Sequence, residues 1–281
     1  MGLKSIASSA LCIAFIAGEC AYAADTREEK GRKVVDDAIA ALGGDAFLHM
    51  QDRLETGRAY SFYNSQMSGA SPIAKIYTRY LPPSGPLVAG KMLVEERQSF
   101  GDRVRGKFEE RYGFVLFTAV PEAWEVTFRG ARPLPDDQLS RYRDTTLHNV
   151  LYMLRERLKE PEVSFYSLGS DIFDNRPVNI VQIACAENMP VTVYFDQSTK
   201  LPTRQTYKRR NEEYHDMDTE VTSFARYRDA GGGVQWPHDV RRERNGEKIY
   251  EMFSESVEIN KGFGDELFRL PANARVLQKS K

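Results

Sequence analysis

The chain has 281 residues, with 39 lysines and arginines against 40 aspartates and glutamates, a formal net charge of −1. Mixed charge this close to balance argues against a nucleic-acid binder and a polybasic membrane-surface protein. The three cysteines, Cys12, Cys20 and Cys185, are too few for a disulfide framework.

The first residues carry a single lysine, Lys4, then an apolar run from Ile6 to Ala17, then Ala21-Tyr22-Ala23. That order of charge, apolar core and small-residue site predicts a secretory signal peptide over 1–23. The run is shorter than the ~20 residues a membrane span needs. Glu19 stands before Cys20, where a lipid-acceptor cysteine follows a small residue, so a soluble exported product is expected over 24–281 as one domain. The periplasm is the expected compartment, with secretion as the alternative. Such a product retains only Cys185, which reads as a small buried hydrophobe.

Val34, Val35, Ala38, Ile39 and Leu42 recur at helical spacing, and Gly43-Gly44 stops the helix. A short helix is expected over 45–51. From Arg53 the period changes to that of strands: 53–64, 73–80, 91–100, 104–111 around a Gly101-Asp102 turn, 112–118 and 123–129. Pro133-Leu134-Pro135-Asp136-Asp137 then opens a helix, because proline is tolerated in a first turn and acids suit its dipole. Leu139, Tyr142, Leu147, Val150, Leu151, Leu154 and Leu158 mark one face, so 135–160 is expected to be the longest helix.

Strands resume at 163–168 and 177–186. Val191, Val193 and Phe195 alternate into the turn at 196–200, and Pro202 opens the returning strand. Thr219–Arg228 is a further strand, ended by Gly231-Gly232-Gly233. Asn245-Gly246 joins two more in the strongest short hairpin signal. Strands grouped around segregated helices define an α+β, mainly β, antiparallel architecture rather than βαβ units.

Catalytic signatures are missing. His49, His148, His215 and His238 occupy no paired ligand spacing, and there is no nucleophile elbow, phosphate loop or dinucleotide fingerprint. The acidic cluster at 212–218 lacks the glycine and distal glutamate of a calcium loop and reads as a solvated turn. The expectation is therefore no enzyme, no metal and no cofactor.

The segments VTVYFDQSTKLPTRQTY at 191–207, GGGVQWPHDVRRERNGEKIYEM at 231–252 and VEINKGFGDELFRLP at 257–271 resemble the LolA/LolB-like outer-membrane lipoprotein-sorting superfamily. The resemblance implies an incomplete antiparallel β-barrel of about ten or eleven strands, closed by a helical lid over an apolar cavity. It further implies a non-catalytic carrier whose partner is a lipid or lipoprotein acyl chain. The alternative is an envelope regulatory or scaffolding module that binds another protein. Expected cavity residues are Tyr60, Phe62, Ile76, Trp124, Val126 and Phe128 from the sheet, with Leu147, Val150, Leu151 and Leu154 from the lid.

Overall fold

The structure, a computed structural model, describes residues 11–279 apart from 65, 69–71, 84–87, 119–121, 186–187 and 212–213; for 11–25 and 188 it describes the backbone alone. Residues 1–10 of the expected leader lie outside this range, as do parts of the loops expected at 65–71, 82–86 and 212–218.

The chain opens with helices α1 (Leu11–Leu42) and α2 (Asp45–His49). Six strands follow: β1 (Asp52–Tyr63), β3 (Ile73–Tyr80), β4 (Val94–Val104), β5 (Lys107–Phe117), β6 (Ala123–Thr127) and β7 (Gly130–Pro133), with a two-residue β2 (Gln66–Met67) paired to β1. Helix α3 (Asp136–Leu147) and a short α4 (Val150–Tyr152) come next, α4 running into a π turn at Met153–Arg157. The second half is β8 (Ser164–Phe173), β9 (Arg176–Cys185), β10 (Asn188–Asp196), β11 (Pro202–Arg210), β12 (Met217–Asp229), β13 (Gln235–Arg244) and β14 (Glu247–Ile259).

These form one antiparallel sheet in the order β7-β6-β5-β4-β3-β1-β14-β13-β12-β11-β10-β9-β8. Each half is a meander of sequential neighbours. The halves join where β1 pairs with β14, Arg53 opposite Ile259 and Ser61 opposite Tyr250. The first half ends at one edge of the sheet and the second begins at the other. The α3–α4 segment therefore runs from one edge to the other, as a lid. The sheet is larger than expected, at fourteen strands, and it is open: among the described residues β7 and β8 do not pair with each other.

Several turns form where the sequence places them. Asp196 accepts hydrogen bonds from the amides of Ser198 and Thr199, both at 2.8 Å, which fixes the turn between β10 and β11. Asn245 and Gly246, at φ 52° and 84°, join β13 to β14 with the two positive φ values of a type I′ turn.

One turn lies elsewhere. The β4–β5 hairpin turns at Arg105-Gly106, with φ 48° and 80°, and not at Gly101-Asp102. Gly101 instead sits at a bulge within β4, where a Cβ would come within 1.9 Å of the Glu109 carbonyl oxygen. The strands expected at 91–100, 104–111 and 112–118 are accordingly two.

The lid also differs from expectation. It is two helices, and α1 is longer than either. The break falls at His148-Asn149. Asn149 Oδ1 accepts from the amides of Leu151 and Tyr152, an N-cap for α4. Gln205 on β11 serves both sides of the break: its Oε1 accepts from the Val150 amide at 2.7 Å, and its Nε2 donates to the His148 carbonyl at 2.8 Å. His148 stacks on Tyr207 with ring centroids 4.3 Å apart. The interruption of the helix is thus hydrogen-bonded on both faces, as buried backbone requires.

The main core lies between the helices and the second half of the sheet. Val35, Ala38 and Leu42 of α1, Phe47 of α2, and Val150, Met153 and Leu154 of the lid pack on Phe165, Val181, Ile183, Val191, Val193 and Phe195. At Gly31 a Cβ would lie 2.6 Å from the Phe165 carbonyl oxygen, so only glycine lets α1 approach β8 this closely.

A second core lies on the outer face of the first half. There Phe268 packs with Phe114, Leu116, Val126 and Ala131. Asp52 anchors the chain leading to it by accepting from the amides of Lys261, Gly262 and Phe263.

Candidate functional site

Between the lid and the middle of the sheet lies a cavity of about 670 Å³, within the ~300–1,000 Å³ typical of small-molecule sites. It arises from the topology. The main core fills most of the space over β8 to β12, whereas inward-facing residues of β1, β3, β4 and β14 line the cavity beneath α3 and α4.

Strand alternation selects which residues face it. From β1 come Arg53, Glu55, Ala59 and Ser61; from β3, Ala74, Ile76, Thr78 and Tyr80; from β4, Val94, Glu96, Gln98 and Phe100. Phe224 of β12, Trp236, Val240 and Arg242 of β13, and Tyr250 and Met252 of β14 complete the sheet side. The lid contributes Tyr142, Thr145, Thr146, Asn149, Leu151 and Tyr152.

The wall is therefore amphipathic. The apolar part centres on Trp236, Phe224, Val240 and Met252. The polar part centres on Arg53, which lies over the Trp236 ring at 4.2 Å. Arg53 donates to Thr78 Oγ1 at 3.0 Å and to the Tyr80 hydroxyl at 3.1 Å, and its Nε lies 3.7 Å from Glu55. Glu55 in turn accepts from Ser254.

Glu96 accepts from Gln98 at 2.6 Å and from Thr78 at 3.3 Å. Loss of solvent pushes its carboxyl above the ordinary value of 4.5, and the Glu55 charge adds to this. The bonds from Gln98 and Thr78 and the Arg53 charge oppose it.

In the window upward from 4.5 the folded protein thus holds a proton that the unfolded chain has released, and stability falls as pH rises. Glu96→Gln keeps an acceptor without the charge. Its stability relative to wild type is expected to grow as pH rises from 4.5. Urea midpoints across pH 4.5–8 check this, and a constant difference would mean that Glu96 titrates normally.

Of the expected cavity residues, Ile76 and Leu151 line this space. Val150 and Leu154 lie in the main core, and Leu147 packs with Val94 and Tyr152 beside the cavity. Trp124 and Val126 belong to the outer-face core. Phe128 sits in the β6–β7 turn and is 93% exposed. Tyr60 and Phe62 fall on the face of β1 opposite Arg53 and Glu55; Tyr60 meets the Phe253 ring edge-on, and the Lys248 ammonium lies over Phe62.

Sequence reading missed the polar floor: Arg53, Glu55, Thr78, Glu96, Gln98 and Arg242. The available signal was the alternation of Arg53 with Glu55 on β1 and of Glu96 with Gln98 on β4, which marks one face without saying which way it turns.

Other chemical candidates resolve differently. Cys185 is buried, and burial pushes its thiol up, against the nearby Arg157 charge. It is thus kept from the thiolate form a nucleophile needs. In the acidic cluster, Asp218 is occupied by the side-chain amides of Asn211 and Asn245, at 3.0 and 2.8 Å. No group of three metal-ligating side chains occurs among the described residues.

No protein-family sequence profile matches the chain, and no curated protein matches it in sequence. Solved structures do match. One is a domain from Vibrio parahaemolyticus named for outer-membrane lipoprotein sorting, with a TM-score of 0.54 at 11% identity over 86% of this chain and 97% of that one. Another is a DUF1329 family protein from Desulfovibrio piger, with a TM-score of 0.50 at 11% identity over 85% and 97%. A LolA-superfamily protein from Nitrosomonas europaea matches at 0.46 and 8% identity over the same shares.

The chain thus shares its fold with the Vibrio lipoprotein-sorting domain and the DUF1329 protein: here it is an open antiparallel sheet of fourteen strands with few helices.

Proposed function

We propose that the chain is an exported, non-catalytic carrier that holds one amphiphile, the acyl chain of a lipid or lipoprotein, beneath the α3–α4 lid. The observation that supports this reading is the cavity of about 670 Å³ between lid and sheet, in a fold shared with a lipoprotein-sorting domain. Burial of an alkyl chain against Trp236, Phe224, Val240 and Met252 is favourable at ~25 cal/mol per Å² removed from water. The location in the periplasm rests on the leader pattern at 1–23.

Native mass spectrometry of protein purified gently from its own envelope tests the reading. The expected result is a one-to-one adduct with the mass of a single amphiphile, lost on delipidation and regained on adding long-chain amphiphiles. A clean apo mass together with no uptake of any such compound would remove the carrier reading and favour a module that binds another envelope protein.

A further inference from the structure

The cavity contains a guanidinium that has no carboxylate in contact with it, although Glu55 and Glu96 line the same space. Arg242, half-buried on β13, reaches it and donates to Thr145 Oγ1 of α3 at 3.0 Å. Among the described residues no carboxylate lies within ion-pair distance of it. Its neighbours on the same strand differ. Arg241 is paired with Asp239 at 3.1 Å and Glu251 at 2.8 Å, and Arg244 with Glu220 at 2.6 Å. Arg53, the other cavity guanidinium, has Glu55.

A guanidinium withdrawn from water without a counter-ion is costly, and its planar fork matches a carboxylate or phosphate through two parallel bonds. Tyr250 stands directly opposite Arg242 across β13 and β14. Its phenol is neutral, pushed up by burial and by the Glu55 and Glu96 charges against the pull of Arg242, so it meets an anion as a dipole and not as a charge. Along the same face, away from the β13–β14 turn, come Val240 and Trp236, with Met252 opposite Val240. An acid-binding group thus stands at one end of an apolar strip.

We infer that the cavity selects an amphiphile with an acidic head, a carboxylate or phosphate monoester seated on Arg242, and an alkyl tail laid along Val240, Met252 and Trp236. This rests on the carrier reading above and specifies its ligand.

The test compares dodecanoate, dodecyl phosphate and dodecanol, which share a tail, by calorimetry or displacement of a fluorescent acyl probe. The two acids are expected to bind at least about tenfold more tightly than the alcohol, the size of one charge-assisted hydrogen bond. Arg242→Gln is expected to abolish the advantage of both acids over the alcohol, and Arg242→Lys, which keeps the charge but not the fork, to restore only part of it. Acetate and inorganic phosphate, which lack the tail, are expected to compete only weakly.

Equal binding of acids and alcohol by the wild-type protein overturns the inference and leaves the carrier reading intact. Failure of all three alkyl ligands to bind overturns both. Competition by inorganic phosphate as effective as by dodecyl phosphate replaces the amphiphile with a free anion and also overturns it. The wild-type comparison decides even where Arg242→Gln does not fold.

Discussion

Arg157→Ala is expected to destabilise the protein by about 3–5 kcal/mol, the cost of breaking a buried ion pair from one side. Arg157 is only 1% exposed. Its Nε and Nη2 donate to the two oxygens of Glu160, both at 2.8 Å, and its Nη1 donates to the Leu147 carbonyl at 2.9 Å. That carbonyl belongs to the last residue of α3, so one side chain ties the end of the first lid helix to the π turn that closes the second. Truncation strands the buried Glu160 carboxylate and leaves the Leu147 carbonyl without this donor.

A pair of substitutions separates these contributions. Arg157→Met with Glu160→Leu removes both charges and keeps apolar volume, so much of the loss is expected to return. Glu160→Leu alone leaves the guanidinium buried and is expected to cost nearly as much as Arg157→Ala. Urea unfolding of wild type, Arg157→Met, Glu160→Leu and the double variant at one pH measures the cycle. A loss below about 1 kcal/mol for Arg157→Ala would show that water reaches the pair, and that the lid is not fastened at this point.

The sheet was legible in the sequence wherever a local rule acts alone. Gly43-Gly44, the Asp196 turn with Pro202, and Asn245-Gly246 each specify backbone geometry within a few residues, and each is found in place. The lid break was less visible, because the apolar period runs through it: Leu147, Val150, Leu151 and Leu154 read as one stripe. Its only local sign is Asn149, a good N-cap placed inside that stripe. Its other support, Gln205, comes from 55 residues away.

The cavity was least legible, for a reason that lies in the strands of the first half. Both of their faces carry apolar or aromatic residues, so alternation alone does not say which face turns inward. Trp124 and Val126 look like an inner face, but the C-terminal turn bearing Phe268 covers them from outside. Arg53, Glu55, Glu96 and Arg242 look like a solvated face. They turn inward because β1 pairs with β14 and the lid crosses above them. The β1–β14 pairs join segments about 200 residues apart and the lid contact at Arg242 spans about 100, and no window of sequence contains them.

The two lid leucines on either side of this boundary are expected to respond differently to truncation. Leu154 is fully buried in the main core, so Leu154→Ala removes contacts on all sides and is expected to cost about 2–5 kcal/mol. Leu151 is also largely buried but lines the cavity as well. Where it faces empty volume it has no partner atoms to lose, so Leu151→Ala is expected to cost about 1–2 kcal/mol, at the low end for such a change.

Ligand affinity should order the same pair the other way. Leu151→Ala removes wall from the cavity and is expected to weaken binding of dodecyl ligands several-fold. Leu154→Ala, once corrected for the fraction folded, is expected to leave it unchanged. Chemical denaturation and ligand titration on the same preparations read both effects. Equal stability losses with unchanged affinity in both variants would mean that the lid closes on the sheet as one continuous core. The opposed pattern would mean that one half of the lid serves stability and the other serves the ligand, a division set by the Asn149 cap and the Gln205 clamp that split it.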